Sequence, residues 1–225
     1  GKVPLTPINE KDFFLKKIDG MLYGHKTEEG FFIGNSFVHI PLGISFEFSD
    51  QFYFINQPSA LVGRSKDNAK IIFDLDETVA INDQDYLSTW LSSPEKKIIN
   101  YRSFSNKNFN ISTGEVIKKK KKIFFATLKK DSSITYRFVL LNNSDSKEKE
   151  FFKMVRSFKE IEQNDLDKMT PPKIVITSTS SEKKSFEETV NRSNLQKMYA
   201  TEIHKSLNNL EGDNIKVGEK MKTVY

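Results

Sequence analysis

Three histidines are the residues of this sequence that could hold a catalytic zinc ion: His25, His39 and His204. A metallopeptidase helix needs the spacing H-E-x-x-H, because two imidazoles one helical turn apart then meet the same metal and the glutamate activates a water molecule. The segment after His25 reads Lys-Thr-Glu-Glu, has no second histidine and lies between Gly24 and Gly30 in a predicted turn. The sequence therefore predicts no catalytic zinc site in this chain.

Other catalytic patterns are missing as well. The chain has no cysteine, which excludes disulfides, thiolate nucleophiles and cysteine-based zinc sites. It contains neither a G-x-S-x-G nucleophile elbow nor a P-loop. Asp74, Asp76 and Glu77 could bind calcium, but they lack the spacing of a calcium-binding loop, so a solvated strand end is the alternative. We predict no catalytic residue here.

A run of five lysines is the most concentrated charge in a chain of net charge +5: Lys118, Lys119, Lys120, Lys121 and Lys122. One interpretation is a solvated strand or hairpin edge, since lysines on edges block pairing between sheets. The other is a patch for an anionic partner, which would be lipid headgroups, a cell-wall polymer or nucleic acid. Nucleic acid has the least support, because no RNP motif, helix-turn-helix or zinc finger is visible.

The periodicity of apolar residues predicts an α+β fold with a mostly antiparallel sheet flanked by helices. Phenylalanine, with 19 copies, dominates the apolar residues and suits half-buried sheet surfaces. No apolar run reaches the roughly 20 residues of a membrane-spanning helix. The element order resembles that of PsbP-like α-β-α sandwiches. Helices are predicted at 9–23, 83–92, 147–158, 183–190 and 194–208, with strands at 30–75, 98–141, 173–177 and 221–225.

The same pattern predicts four parts along the chain. A linking helix and an extended segment occupy 1–41, and the α+β sandwich domain occupies 42–164. A linker at 165–172 ends in Pro171 and Pro172, which stiffen the backbone and remove two hydrogen-bond donors. Residues 173–225 then form a small β-α-α-β module.

Two stretches resemble the region that follows the catalytic domain in bacterial HtpX-like zinc metallopeptidases of family M-48. The first has the form "IDG…YG…GFF.GN.F.H", with Ile40 where the family pattern has proline. Its segments are 12–24, 29–39, 42–46 and 56–62. The second matches the end of the same proteins, and its segments are 156–158, 172–174, 189–190, 207–210, 218 and 222–224. The family's Asn-Gly is here Asn208-Asn209, and asparagine tolerates a left-handed turn. This module distantly resembles LysM modules, which bind N-acetylglucosamine polymers.

The resemblance implies an accessory region of a zinc-dependent envelope metalloprotease, located in the periplasm or cell envelope, that positions substrates or gates the protease domain. Zinc would belong to a catalytic domain upstream, and none of the family's metal ligands has a counterpart here. The partners would be that protease domain and protein substrates. A second hypothesis is a module that binds cell-wall glycan or an envelope protein independently of proteolysis. A third hypothesis is a stand-alone domain that binds another ligand. An H-E-x-x-H helix encoded upstream of Lys2 would support the accessory region of a metalloprotease over the two other hypotheses.

Phe31, Phe32 and Phe37 are the predicted interface with this protease domain. They lie between Gly30 and Gly43, in an apolar segment whose three glycines are more than a core strand needs. The alternative is that these rings fill the local core.

Overall fold

The computed structural model describes residues 9–77, 83–91, 98–118, 120–131, 133–142, 145–178, 185–213, 215 and 217–225. Helices in these ranges are α1 (Glu10–Ile18), α2 (Asp83–Trp90), α3 (Asp145–Ser157), α4 (Gln163–Leu166), α5 (Ser185–Arg192) and α6 (Ala200–Asn208). Single 3-10 turns occupy Thr27–Glu29 and Lys197–Tyr199. No helix of the described ranges is long and apolar enough to cross a membrane.

The strands of the described residues form three sheets, and every pairing among them is antiparallel. The first eight are β1 (Phe31–Ile33), β2 (Ser36–His39), β3 (Ile44–Glu47), β4 (Tyr53–Gln57), β5 (Ala60–Arg64), β6 (Lys70–Asp76), β7 (Ile98–Ser105) and β8 (Asn110–Lys118). The others are β9 (Lys121–Lys129), β10 (Thr135–Leu141), β11 (Lys159–Glu160), β12 (Ile174–Ser178) and β13 (Lys220–Val224). The chain therefore has the α+β fold, with antiparallel sheets flanked by helices, that the sequence predicts.

A seven-stranded sheet in the order β4-β5-β6-β10-β9-β8-β7 is the largest element of the fold. Alternate residues point to opposite faces, so the cross-strand row Leu61, Phe73, Phe138 and Ala126 shares one face. That face packs against a second sheet, in the order β1-β2-β3-β11, and against α3.

Phenylalanine rings fill the space between the two sheets. Phe46 of β3 lies 5.1 Å from Phe73 and 5.2 Å from Phe138, measured between ring centroids. Phe158, directly after α3, packs edge-on against Phe109 at 5.0 Å. Tilted and edge-to-face pairs are the favoured geometries for aromatic rings, so this core gains specific contacts beyond the area it buries.

The helix α2 covers the opposite face of the large sheet. Tyr86 and Leu87 are buried there with Val116 and Phe125 of the sheet. Trp90, the single tryptophan, packs edge-on against Phe125 at 6.1 Å between centroids. The large sheet is therefore covered on both faces.

A third, two-stranded sheet of β12 and β13 packs with α5 and α6 around a smaller core. This is the β-α-α-β order predicted for 173–225. The sheet also contacts the start of the chain, because Ile174 N donates to Met21 O at 2.8 Å and Gly20 N donates to Ile174 O at 2.7 Å.

Two predicted boundaries fall where the structure has contacts. The boundary between 41 and 42 separates β2 from β3, which pair with each other over four residues. The predicted linker 165–172 begins within α4 and ends at Pro172, whose carbonyl accepts a hydrogen bond from Tyr23 N at 2.8 Å.

Candidate functional site

The lysine run forms the turn of the β8–β9 hairpin. Lys118 pairs with Lys121 across the turn, and Ile117 pairs with Lys122. Lys118, Lys120, Lys121 and Lys122 are exposed, and Lys119 lies outside the described residues. The hairpin therefore presents a cluster of ammonium groups to solvent.

The three predicted interface phenylalanines lie in or against the chain's own core. Phe31 is 1% exposed and Phe37 is 2% exposed. Phe32 is half-buried, and its ring lies 5.5 Å from that of Phe37 and 6.0 Å from that of Phe48, measured between centroids. For Phe31 and Phe37 the structure favours the alternative in which the rings fill the local core.

Backbone geometry accounts for the three glycines of this segment. Gly30, Gly34 and Gly43 have φ values of 77°, 56° and 64°, a region that residues with a Cβ atom rarely adopt. Gly34 begins the two-residue turn between β1 and β2. A Cβ atom on Gly30 would lie 2.6 Å from Cζ of Phe37. Turns and close packing, rather than a partner surface, therefore explain these glycines.

The candidate calcium carboxylates are engaged by an arginine. Arg137 donates from Nε to Asp74 Oδ1 at 2.7 Å and from Nη2 to Asp74 Oδ2 at 2.8 Å, and its Nη1 reaches Asp76 Oδ2 at 2.9 Å. Burial alone would lower the pKa of Arg137, but the hydrogen bonds and charge of Asp74 raise it overall. Two of the three carboxylates thus already have a cation, which favours a structural role.

The three histidines do not form a metal site. His25 pairs with Glu29 at 3.2 Å, and His39 Nδ1 accepts from Leu42 N at 3.2 Å. Both line an open groove of about 670 Å³, whereas His204 is 0% exposed in the C-terminal core. No group of three or more histidine, aspartate or glutamate side chains in the described part of the chain could hold a metal ion.

Tyr23 of the first resembling stretch, together with Tyr53 and Tyr199, to which no sequence motif points, lines a second groove of about 510 Å³. We call it the tyrosine groove, and its lining is Tyr23, Tyr53, Tyr199, Glu202, Ile203, Ser206 and Leu207. The Tyr53 and Tyr199 rings meet edge-to-face at 5.3 Å between centroids. The groove continues into a pocket of about 280 Å³ that shares Tyr23, Tyr53 and Ile203 and adds Asn56 and Asn194.

Three separate parts of the chain bring these tyrosines together. Tyr23 follows α1 and is held by its hydrogen bond to Pro172. Tyr53 begins the edge strand β4, and the 3-10 turn before α6 carries Tyr199. Polar contacts fix that turn to the sheets, since Lys197 N donates to Asn35 Oδ1 at 2.8 Å and Gly34 N donates to Asn194 O at 3.0 Å.

Partial burial sets the protonation of the groove. It raises the pKa of Tyr53, and burial together with the nearby Tyr53 raises the pKa of Tyr23. Both phenols therefore remain neutral at physiological pH and can donate and accept hydrogen bonds. Lys66 Nζ lies 5.8 Å from the centre of the Tyr199 ring, which places a cation beside the groove.

No protein-family model matches the sequence, and no curated protein matches it. Among solved structures, cyanobacterial PsbP (CyanoP) from Synechocystis sp. PCC 6803 has a TM-score of 0.42 at 11% identity, over 56% of this chain and 91% of that one. A protein from Bacteroides thetaiotaomicron VPI-5482 has a TM-score of 0.38 at 8% identity, over 71% of this chain. This chain spans 57% of the length of the Bacteroides protein. Similarity at this level gives no information about function.

Proposed function

We propose that this chain is a non-catalytic binding region that holds extended polypeptide in the tyrosine groove, as an accessory part of a zinc metallopeptidase of the bacterial envelope. The observation that carries the proposal is where the two family-like stretches meet. Tyr23 belongs to the first stretch and Leu207 to the second, and both line the tyrosine groove. The resembling segments, far apart in sequence, therefore share one surface.

The chemistry of the groove suits an unfolded protein segment. Tyrosine rings offer rigid apolar area with a polar tip, which is why they are enriched at protein interfaces. Ile55, 47% exposed on β4, adds apolar surface beside them. The backbone N–H and C=O of Phe54 are both occupied by the Gln196 side chain, so a substrate strand cannot pair with β4 at that position. Recognition would therefore rest on side chains.

The accessory role places catalysis elsewhere. Zinc and the water-activating glutamate would belong to an upstream protease domain, and this region would present misfolded protein segments to it. The periplasm or cell envelope is the compartment that the resemblance implies. These parts of the proposal rest on the resemblance in sequence.

A second candidate ligand is cell-wall glycan. Glu202 and Ser206 lie in the same groove as the tyrosine rings and offer hydrogen-bonding groups to hydroxyls. An apolar lining with a few polar groups is typical of small-ligand sites in general. The two ligands would compete for one groove, so a single set of variants tests both.

The experiment titrates the purified chain with a fluorescein-labelled, carboxymethylated casein fragment and, separately, with an N-acetylglucosamine oligomer. We expect the casein fragment to bind, and Tyr199→Ala and Tyr53→Ala each to weaken binding roughly 10-fold, as for an aromatic contact worth more than 1 kcal/mol. Tyr101→Ala is the matched control, because Tyr101 is 41% exposed on the opposite edge strand, β7. Circular dichroism checks that each variant is folded.

If the N-acetylglucosamine oligomer binds and the casein fragment does not, the ligand of the groove is glycan rather than polypeptide. If neither binds, the tyrosine groove is not a binding site for these ligands.

The catalytic side is tested by incubating the chain with casein and by measuring bound zinc. We expect no hydrolysis and no stoichiometric zinc, and chelator-sensitive cleavage would contradict the accessory role.

A further inference from the structure

Among the described residues, the β8–β9 hairpin extends beyond its neighbours in the sheet. Pairing between β7 and β8 ends at Val116, and pairing between β10 and β9 ends at Phe124. Within the described residues, the strand ends beyond these two positions pair only with each other. We call this projecting end the lysine tip, and its described residues are Ile117, Lys118, Lys120, Lys121 and Lys122.

The charge of the lysine tip works against the stability of the hairpin. Lys118 lies directly opposite Lys121, and like charges at such a cross-strand pair are destabilising. Lys120 has a φ of 65°, a left-handed conformation that disfavours residues other than glycine, asparagine and aspartate. Every other non-glycine residue with positive φ in the described ranges is an asparagine. Hairpin formation therefore gives no reason for lysine at these positions.

Protection of a sheet edge explains only part of the composition of the lysine tip. Lysines on edge strands prevent a sheet from pairing with another sheet. β8 and β9 are interior strands of the seven-stranded sheet, but at the lysine tip their outer sides have no paired strand among the described residues, so the lysines also protect this short local edge. Edge protection gives no reason for an exposed apolar side chain beside the lysines, yet Ile117 is exposed there.

The lysine tip combines positive charge with an exposed apolar side chain. Ile117 is 51% exposed and shares a face with its cross-strand partner Lys122. Among the four described lysines, Lys122 alone has a carboxylate of the described residues within salt-bridge range, Glu115 at 3.5 Å. Lys121 donates to the neutral Asn142 at 3.3 Å. We propose that the lysine tip docks the protein on an anionic lipid surface, with the ammonium groups on the headgroups and Ile117 at the acyl boundary.

A membrane fits this surface better than a nucleic acid does. Single-stranded nucleic acids bind where aromatic rings stack on bases beside basic groups. The nearby strand β7 exposes Tyr101 and Phe104, but on opposite faces of the sheet. Phe104 pairs with the core residue Ile111, whereas the Tyr101 hydroxyl lies 3.1 Å from Ser112 Oγ, one residue further along β8. They cannot form one stacking platform with the lysine tip.

The test is co-sedimentation of the protein with vesicles of phosphatidylcholine alone or of phosphatidylcholine with phosphatidylglycerol. We expect the protein to bind only the vesicles that contain phosphatidylglycerol, and we expect this binding to weaken as salt is added. The triple variant Lys118→Gln, Lys121→Gln, Lys122→Gln should bind roughly 100-fold more weakly, from about fivefold per lysine near an anionic surface. The variant Lys16→Gln, Lys26→Gln, Lys168→Gln removes the same charge from exposed positions outside the tip and should bind as the wild type does.

Ile117→Ser separates insertion from charge alone, and it should weaken binding while leaving the salt dependence unchanged. Tryptophan fluorescence confirms that each variant is folded. Equal losses in the two triple variants would show general electrostatics and overturn the proposal, as would no binding to anionic vesicles. Tighter binding of a fluorescent single-stranded oligonucleotide than of vesicles would also overturn it and assign the tip to nucleic acid.

Discussion

Gln196 takes the place of a neighbouring strand at the edge of the large sheet. Phe54 N donates to its Oε1 at 2.7 Å, and its Nε2 donates to Phe54 O at 2.8 Å. The side chain is 6% exposed, so these bonds are shielded from water. One residue therefore closes the edge strand β4 and fixes the segment that carries Tyr199.

We predict that Gln196→Ala lowers the free energy of unfolding by about 2–4 kcal/mol, since it leaves two buried backbone groups of Phe54 without partners. Urea denaturation followed by circular dichroism measures the change. Gln57→Ala, at an exposed position of the same strand, should stay within about 0.5 kcal/mol of the wild type. Equal effects of the two substitutions would mean that the Gln196 contacts contribute no special stability.

His204 is a buried base without a hydrogen-bond partner. It is 0% exposed, and neither ring nitrogen has a partner among the described residues. Its ring packs against Phe186 at 5.4 Å between centroids. Burial lowers the pKa of His204, so the neutral imidazole is the form that fits the folded core.

A second prediction concerns pH. Because the pKa of His204 is lower when folded than its unfolded value of about 6.5, the unfolded chain binds the extra proton first as the pH falls. The contribution of His204 is complete above about pH 6.5 and is lost as the pH drops toward the folded pKa. His204→Leu should therefore flatten the decline in unfolding free energy below about pH 6.5, as measured by urea denaturation across pH. An unchanged slope in His204→Leu would contradict this prediction.

At the scale of secondary structure, α2 is fastened to the sheet by a polar cluster around Arg137. The guanidinium group binds Asp74 with two hydrogen bonds and lies 5.2 Å from the Trp90 ring. Tyr86 donates to Asp76 Oδ2 at 2.8 Å. Burial, together with the hydrogen bond to Asp76, raises the pKa of Tyr86 to about 12, so the donor persists at neutral pH.

Arg137→Lys should weaken the packing of α2 on the sheet, because an ammonium group cannot form the two parallel hydrogen bonds that the guanidinium group makes with Asp74. We expect a loss of about 1–2 kcal/mol in unfolding free energy for this partly exposed pair. The emission of Trp90, the single tryptophan, should also shift to longer wavelength. Arg102→Lys, at an exposed position on β7, is the control. An unshifted emission spectrum in the Arg137 variant would show that the cluster does not hold the helix.

Local patterns predicted most elements, and tertiary contacts explain the exceptions. The strands predicted at 30–75 are β1 to β6, of which the last ends at Asp76, and the helix predicted at 147–158 is Asp145–Ser157. The first helix ends at Ile18 rather than at 23, because Asp19 is extended and Gly20 has a φ of 80°. The last helix begins at Ala200 rather than at 194, and the residues before it contact the sheets. Asn209 adopts the predicted left-handed conformation, with a φ of 54°.

The candidate site could not be predicted in the same way. Gln196 and Phe54 are 142 residues apart, and no local period relates them. Tyrosines at 23, 53 and 199 share no motif, so only the folded chain brings them together. The phenylalanines and glycines of 30–43 are dense in sequence, yet core packing and turns explain most of them.

At the scale of the whole molecule, residues 173–225 have their own core but are also tied to the rest of the chain. Leu22 and Lys173 form an antiparallel bridge, and Ile176 N donates to Asp19 Oδ1 at 3.0 Å. Gln196 and the Asn35 contact join the same region to the two larger sheets. Polar contacts therefore join residues 173–225 to the rest of the chain at several points. We expect these contacts, rather than the covalent connection through 165–172, to hold the two parts together.

The final prediction tests that link by limited proteolysis. The sequence predicts a linker at 165–172, and within it the exposed Lys168 lies between α4 and Pro171. We expect trypsin to cut there first, and the two fragments to elute together from a native sizing column. They should separate in urea, and nicked Gln196→Ala protein should separate at lower urea than the nicked wild type, because it lacks the bonds to Phe54. Fragments of the wild type that separate in native buffer would show instead that 173–225 is an independent unit, because the contacts with 19–23, Asn35 and Phe54 would then be too weak to hold it.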